Sequence, residues 1–159
     1  MTIKPDSEIA SPLLIEGLIN RLEDWRDQLR QGEIKRRLKL KAPDQVDQRL
    51  VKELRQLHIQ VELTDIDQVE TAIKVIQEWL KTAPIVHLTF STPPSSVIQS
   101  KIIDCLHKEI DASVLADFRV DNQVAAGFLL RTKNRMFDFS ANGLLWQHRG
   151  QIGELVKHV

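Results

Sequence analysis

The segment Leu115–Ser140 has the sequence LADFRVDNQVAAGFLLRTKNRMFDFS, and its pattern predicts a small piece of sheet. Polar and apolar side chains alternate in residues 115–120, resume in residues 124–132 and alternate again in residues 135–140, which is the period of a β-strand. Short polar interruptions, the second of them Lys133-Asn134, separate the three stretches. The segment therefore predicts three short strands.

A two-residue loop at Lys133-Asn134 fixes how the last two predicted strands face each other. The expected opposite pairs are Thr132 with Arg135, Leu130 with Phe137, and Phe128 with Phe139. In this register the large apolar side chains share one face of the hairpin. The residues expected on the other face are Arg131, Met136 and Asp138.

The second half of the chain, from residue 85, predicts a strand, a helix, three strands and a final helix. Residues 85–90 alternate as a strand, and the turn at Pro93-Pro94 leads into the helix. The residues expected on the inner face of that helix are Ile98, Ile102, Cys105, Leu106 and Ile110. Each strand has one apolar face, so both helices are expected on a single side of the sheet, as a two-layer α/β sandwich.

The first half predicts helices. Ser11-Pro12 is a favourable start for a helix that runs to Gly32. Its apolar stripe has coiled-coil spacing and consists of Ile15, Leu18, Leu22, Trp25 and Leu29. A second helix, a short edge strand over residues 59–63 and a third helix capped by Asp65 follow. The chain is thus predicted to be α+β, with a mostly helical region (1–83) before an α/β domain (84–159).

The composition excludes several classes of protein. The 22 basic and 22 acidic residues cancel, so no overall field attracts nucleic acid or an acidic membrane. No apolar stretch is long enough for a transmembrane helix, and the first residues lack the apolar core of a signal peptide. Cys105 is the one cysteine, so no internal disulfide forms, and we expect it in the core.

The final predicted helix is capped by Ser140 and carries an unusual set of small residues. The stripe expected to meet the sheet consists of Leu144, Leu145, His148, Ile152, Leu155 and Val156. Beside it, at steps of three and four, lie Gly143, Trp146, Gly150 and Gly153. Such a stripe leaves a shallow track of backbone that allows a partner helix to approach closely. The alternative is a helix that simply breaks at Arg149-Gly150.

The order of residues in the segment Leu115–Ser140 also resembles a known family. The residues that carry the resemblance are Val120-Asp121, Val124, Ala126-Gly127-Phe128, Leu130-Arg131 and Asp138-Phe139-Ser140. In that order, and followed by a helix, they resemble the C-terminal domain of the ATP synthase delta subunit, whose mitochondrial relative is the oligomycin-sensitivity-conferring protein. The resemblance covers residues 85–159. Its fold markers are Gly127, Asp138 and Ser140, and Asp138 is expected to pair with Arg131 on the solvent face.

The resemblance implies a non-catalytic role. Delta subunits belong to the stator, or peripheral stalk, of rotary ATP synthases that translocate protons or sodium ions. They join the alpha subunits of the catalytic head to the b stalk at the cytoplasmic face of the membrane. By this resemblance the small-residue track that includes Trp146 would receive subunit b. The stripe from Ile15 to Leu29 would then hold another helix of the stator or head.

The sequence is also compatible with other functions. One is a helix-binding adaptor or regulatory protein that uses the same sandwich. Another is a nucleic-acid-binding module that uses the basic segment of residues 30–41, which holds six cations. The Gly150-Gln151-Ile152-Gly153 sequence also matches the GxxG loop of KH modules. No nucleotide, dinucleotide or zinc motif is present, and His87 is expected to face solvent, so we predict no cofactor, no metal and no small-molecule substrate.

Overall fold

The computed structural model describes residues 3–37, 47–141 and 143. It has the predicted α+β class, with a helical N-terminal half. The elements are α1 (Pro12–Arg37), α2 (Gln48–Gln56), α3 (Ile66–Thr82), β1 (Ile85–Phe90), α4 (Ser96–Glu109), β2 (Leu115–Val120), β3 (Phe128–Arg131) and β4 (Met136–Asp138). None of the helices in these described ranges is long and apolar enough to cross a membrane.

Contacts within the chain group its residues into two compact units. The first consists of Met1–Pro84 and Ile103–Leu115, and the second of Ile85–Ile102 and Ala116–Val159. Each unit is a set of residues that mainly contact other residues of the same set. The division into a helical region (1–83) and an α/β domain (84–159) stays a prediction.

The first unit has a core built around α1, which packs against α3 and α2. Ile15, Leu18 and Leu22 are completely buried there. The indole nitrogen Nε1 of Trp25 donates a buried hydrogen bond of 2.7 Å to the carbonyl oxygen of Leu63. The apolar stripe of α1 therefore has its partners within this unit.

One predicted helix end agrees with the structure and another does not. The Asp65 carboxylate accepts hydrogen bonds from the N–H groups of the second and third residues after it, so the predicted cap of α3 is confirmed. The expected end of α1 at Gly32 is wrong, because the helix continues to Arg37. Gly32 is buried, and a glycine costs a helix interior only about 1 kcal/mol.

The edge strand expected over residues 59–63 is also wrong, since these residues have irregular structure. Their backbone groups bond side chains and a helix end instead of a neighbouring strand. The N–H of Ile59 bonds the carbonyl of Leu54 at the end of α2, and the N–H of Glu62 bonds the Gln68 side chain. The carbonyl of Leu63 is taken by Trp25, so this segment joins α2 to α3 without joining a sheet.

The second half forms a four-stranded sheet with the order β2-β1-β3-β4. The pairs β1–β3 and β3–β4 are antiparallel. Strands β1 and β2 run parallel, because the hydrogen bond from Leu115 to Pro84 at one end is matched by that from Asp121 to Phe90 at the other. Parallel pairing with a helix between the strands is the usual βαβ connection.

The predicted hairpin register is confirmed. Leu130 lies opposite Phe137, and the N–H of Thr132 donates to the carbonyl of Arg135 across the Lys133-Asn134 loop at 2.8 Å. The N–H of Phe139 donates to the carbonyl of Phe128, which continues the ladder one step beyond β4. Sequence alternation and loop length were therefore enough to fix this register.

The predicted inner face of α4 is only partly correct. Leu106 is buried, but the other fully buried apolar residue of the helix is Ile103. Ile98 and Ile110 are 48% and 58% exposed, and Cys105 is exposed rather than in the core. Adjacent isoleucines at positions 102 and 103 make the phase of the stripe ambiguous, and a shift of one residue rotates the buried face by about 100°.

The final helix of the prediction lies mostly outside the described residues. Ala141 and Gly143 are helical, directly after Ser140. Residues 144–159, which carry the apolar stripe and most of the small-residue track, lie outside the described part of the chain.

Candidate partner-binding surface

All five phenylalanines of the chain form one row across the sheet. The distances between ring centroids are 6.2 Å for Phe118–Phe90, 5.4 Å for Phe90–Phe128, 5.0 Å for Phe128–Phe139 and 6.4 Å for Phe139–Phe137. These separations lie in the range at which aromatic rings attract each other. We call this row the phenylalanine ladder. It follows from strand alternation, since each ring lies on the same face of its strand.

One end of the phenylalanine ladder is open to solvent. Phe137 is 43% exposed and Phe139 is 48% exposed, while the other three rings are half-buried. The two exposed rings stack on a row whose other members lie on the sheet. A partner that covers them gains about 25 cal/mol for each Å² of apolar surface removed from water.

Gly127 shapes the backbone immediately before β3. Its φ angle is +84°, and a β carbon at this position would lie 2.2 Å from the carbonyl oxygen of Phe139. One residue earlier, the carbonyl of Ala126 accepts a hydrogen bond from the N–H of Ala141. A side chain at position 127 would therefore separate the β3 approach from the start of the last helix. This gives the fold marker Gly127 a physical reason.

Ser140 and Asp138 organise the start of the last helix. The Ser140 hydroxyl accepts a 3.2 Å hydrogen bond from the N–H of Gly143, so the predicted N-cap is confirmed. The Asp138 carboxylate accepts a 2.8 Å hydrogen bond from the N–H of Ser140, and hydrogen bonding to Ser140 lowers the pKa of Asp138. The expected pairing of Asp138 with Arg131 is therefore replaced by a local turn.

Gly143 has a structural reason to be small. A β carbon on Gly143 would lie 2.5 Å from the carboxyl carbon of Asp138. The first member of the predicted small-residue track thus accommodates a side chain of this same chain. Trp146, Gly150 and Gly153, the other members of the track, lie outside the described residues.

The apolar stripe of α1, which the resemblance assigned to a partner helix, lies in the core of the first unit. Ile15, Leu18 and Leu22 have no exposed surface, Trp25 is 7% exposed and Leu29 is half-buried. A coiled-coil-like spacing cannot distinguish a helix that binds another protein from one that packs within its own chain. Packing on α3 and α2 accounts for this stripe without a partner.

The opposite face of the sheet carries a polar cluster that the sequence pattern did not predict. The Asp117 carboxylate oxygen Oδ2 accepts a 2.8 Å hydrogen bond from His87 Nδ1 and a 2.7 Å hydrogen bond from the Arg119 guanidinium. His87 is therefore a half-exposed partner of Asp117 rather than a fully solvent-facing residue. The parallel pairing of β1 with β2 creates this contact, and alternation within single strands does not reveal it.

The ionisation of Asp117 results from two opposing effects. Burial, the largest single influence, raises its pKa. The pKa is lowered by hydrogen bonds from His87 and Arg119 and by the charges of these two side chains. The net pKa of Asp117 is below the usual value. An ionised carboxylate can only accept, so the Nδ1 of His87 carries the proton of this bond.

The polar cluster contains no nucleophile in hydrogen-bond contact with His87 in the described ranges. Within those ranges no group of three or more metal-binding side chains is close enough to hold an ion. In the basic segment, Arg30 forms an ion pair with Glu70 of α3. The residues from 38 onward in that segment lie outside the described part, so the nucleic-acid alternative stays a prediction.

Comparisons with known proteins give a weak structural similarity. No family model matches the chain, and no curated protein matches it. A solved chain from the cryo-EM structure of the Polytomella F-ATP synthase in primary rotary state 3 is similar, with 13% identity and a TM-score of 0.39. The matched region covers 47% of this chain and 96% of that chain.

Proposed function

We propose that this chain is a non-catalytic stator subunit of a rotary ATP synthase that translocates protons or sodium ions. In this role it links the alpha subunits of the catalytic head to the b stalk and stays peripheral to the cytoplasmic face of the membrane. The observation that supports the proposal most directly is the geometry of residues 127–143. There, the residues that carry the resemblance to delta subunits bring three features into contact: a glycine with positive φ, the β3–β4 hairpin and the capped start of the last helix.

The three fold markers act together in this geometry. Gly127 allows the chain before β3 to approach Phe139, Asp138 bonds the N–H of Ser140, and Ser140 caps the helix. If the sequence match had arisen by chance, its three residues would not be expected to stabilise the same small region. This agreement supports the delta-type assignment of residues 85–159, and the assignment of function follows from it.

A stator subunit must hold helical partners against torque without chemistry of its own. A row of stacked rings with an exposed end offers an apolar surface for such a contact. We assign the exposed rings Phe137 and Phe139 to contact with a helix of the b stalk. The later members of the small-residue track, Trp146, Gly150 and Gly153, lie outside the described residues, and their contact with the same helix is proposed from the sequence alone. Docking of the apolar face of an amphipathic helix onto an apolar surface is a recurring mode of recognition.

The first test is affinity purification of the tagged chain from the membrane fraction of its own cells. We expect the alpha, beta and b subunits of the synthase to be recovered with it. Recovery of other proteins without any synthase subunit would contradict the stator role and favour the helix-binding adaptor.

The second test measures binding of the full chain to a peptide of the C-terminal helix of the b subunit. Phe137→Glu should weaken binding at least about tenfold, because a charge replaces an exposed apolar contact. Leu13→Glu is the matched control, since Leu13 is 75% exposed on α1 and should tolerate the same substitution without affecting binding. Equal affinity of the two variants would place the b contact elsewhere.

A further inference from the structure

The two edges of the sheet differ in how they are protected. At the β2 edge, Leu115 and Ala116 are buried, and Asp117 is bonded to Arg119. At the β4 edge, all three residues of Met136–Asp138 are exposed. An exposed edge strand offers unpaired backbone groups to any extended chain that reaches it.

The hydrogen bonds of the hairpin determine which backbone groups face outward from β4. The pairs Thr132–Arg135 and Phe128–Phe139 are hydrogen-bonded, and antiparallel pairing alternates, so Leu130–Phe137 belongs to the same class. The N–H and C=O groups of Phe137 therefore face β3. Those of Met136 and Asp138 point away from the sheet, which leaves two donors and two acceptors along the edge.

The side chains of β4 do little to discourage strand addition. Met136 is 63% exposed on one face, and Phe137 is 43% exposed on the other. The strand contains no proline and no lysine, and its charged side chain, Asp138, is turned back onto the N–H of Ser140. The three-residue length of β4 is the protection that remains at this edge, since residues 136–138 contain neither proline nor lysine.

The charges around this edge indicate what kind of strand would fit. Arg131, Lys133 and Arg135 belong to the β3–β4 hairpin, and none of them has an acidic group within 4.0 Å in the described part of the chain. Five other arginines do have such partners, namely Arg21, Arg26, Arg30, Arg49 and Arg119. The hairpin therefore combines an exposed edge with positive side chains that have no acidic partner among residues 3–37, 47–141 and 143.

We propose that the outer edge of β4 binds an extended, acidic segment of a partner protein, which adds antiparallel to β4 as a fifth strand. The segment bonds the backbone of Met136 and Asp138. It places an apolar residue opposite Phe137 and an acidic residue opposite Arg135 on the same face. This site shares Phe137 with the b-stalk contact of the proposed function, but it does not depend on that function, because its hydrogen bonds are made by the backbone of Met136 and Asp138.

The test uses the full chain labelled with ¹⁵N and a synthetic peptide, Thr-Val-Thr-Val-Glu-Asp-Glu, whose acidic end lies next to Arg135 in the antiparallel orientation. We expect amide shifts concentrated at residues 135–139 in an NMR titration. The peptide Thr-Val-Thr-Val-Lys-Lys-Lys should bind at least about fivefold more weakly, because like charges then oppose Arg135.

Variants of Met136 separate strand addition from side-chain contact. Met136→Pro removes an outward N–H without removing a bond to β3, and it should weaken binding at least about tenfold. Met136→Val keeps the N–H and should bind like the wild type. A peptide N-methylated on its inward-facing residues tests the same hydrogen bonds with an unchanged protein, and it should fail to bind.

Three results would overturn the proposal. They are the absence of shifts at residues 135–139, equal binding of the N-methylated peptide, and equal binding of the lysine peptide. Sedimentation of the chain alone tests a second copy as occupant. A reversible dimer that Met136→Pro abolishes would replace the partner segment by a second copy of this chain.

Discussion

Gly127 lies against Phe139, so closely that a β carbon on Gly127 would come within 2.2 Å of the Phe139 carbonyl oxygen. The contact joins two backbone segments that flank the β3–β4 hairpin, one before β3 and one after β4. It positions the start of the last helix at the same place as the exposed end of the phenylalanine ladder. Any change that separates these segments should affect both the hairpin and the helix start.

Gly127→Ala should therefore destabilise the chain strongly. The substitution adds a steric clash to a backbone with φ of +84°, which is unfavourable for alanine, and we expect a loss of about 3 kcal/mol in the free energy of unfolding. Urea denaturation followed by circular dichroism measures the loss. Gly17→Ala in α1 is the control, since its β carbon would meet only the end of the Arg21 side chain at 3.3 Å. A control loss as large as that at Gly127 would contradict this explanation.

Ser140→Ala should weaken the start of the last helix. The hydroxyl accepts the hydrogen bond from the N–H of Gly143, and loss of an N-cap costs about 1 kcal/mol. Ser140→Thr keeps the acceptor and should recover most of that stability. Amide hydrogen exchange at Gly143 provides a local measurement, with faster exchange expected for alanine than for threonine. Identical exchange in the two variants would show that the cap does not matter.

Trp25→Phe should destabilise the first unit by about 1 to 3 kcal/mol, because the variant keeps an aromatic ring but removes the buried hydrogen bond to the carbonyl of Leu63. That carbonyl then has no donor from this side chain. Trp79→Phe is the matched control, because Trp79 is 6% exposed and its indole makes no hydrogen bond in the described part of the chain. Equal losses of unfolding free energy would mean that ring volume, not the hydrogen bond, is responsible.

Asp117→Asn should reduce the sensitivity of the chain to acid. The folded-state pKa of Asp117 is lowered, so its ionised form stabilises the folded chain above the ordinary pKa of about 3.9, and this contribution is lost as the pH falls below that value. The variant should be less stable than the wild type at pH 7 and nearer to it at pH 3. Unfolding free energies at the two pH values test this expectation.

Asp104→Asn on α4 is the control for the pH measurement. Asp104 is exposed and forms no hydrogen bond or ion pair with its side chain among the described residues. Its substitution should leave the difference between pH 7 and pH 3 unchanged. A residual acid sensitivity is expected in every variant, because hydrogen bonds to serine also lower the pKa values of Asp111 and Asp138.

Sequence patterns gave correct predictions where one local interaction determines the structure. The hairpin register followed from alternation and a two-residue loop, and the caps at Asp65 and Ser140 followed from side chains that bond nearby N–H groups. The patterns failed where two phases or two partners were possible. The pair Ile102-Ile103 allowed two faces for α4, and residues 59–63 alternated like a strand that has no neighbouring strand to join.

Some features of the candidate surface were likewise visible in the sequence, and others were not. Ser140 was predicted as a capping residue from the sequence, whereas Gly127 was singled out by the family resemblance and its positive φ was known only from the structure. The exposure of Phe137 and Phe139 and the contact of His87 with Asp117 were not visible, since they depend on which strands become neighbours. The stripe of α1 shows the converse, because spacing suitable for a partner helix is satisfied within the chain.

The sequence by itself determined the α+β class, the hairpin with its apolar face, and the capped start of the last helix, because each depends on residues only a few positions apart. Tertiary structure alone decided that the five phenylalanines form one row, that Asp117 joins His87, and that β4 lies at an open edge. Those features require strand order, and strand order is set by packing between segments that are distant in sequence.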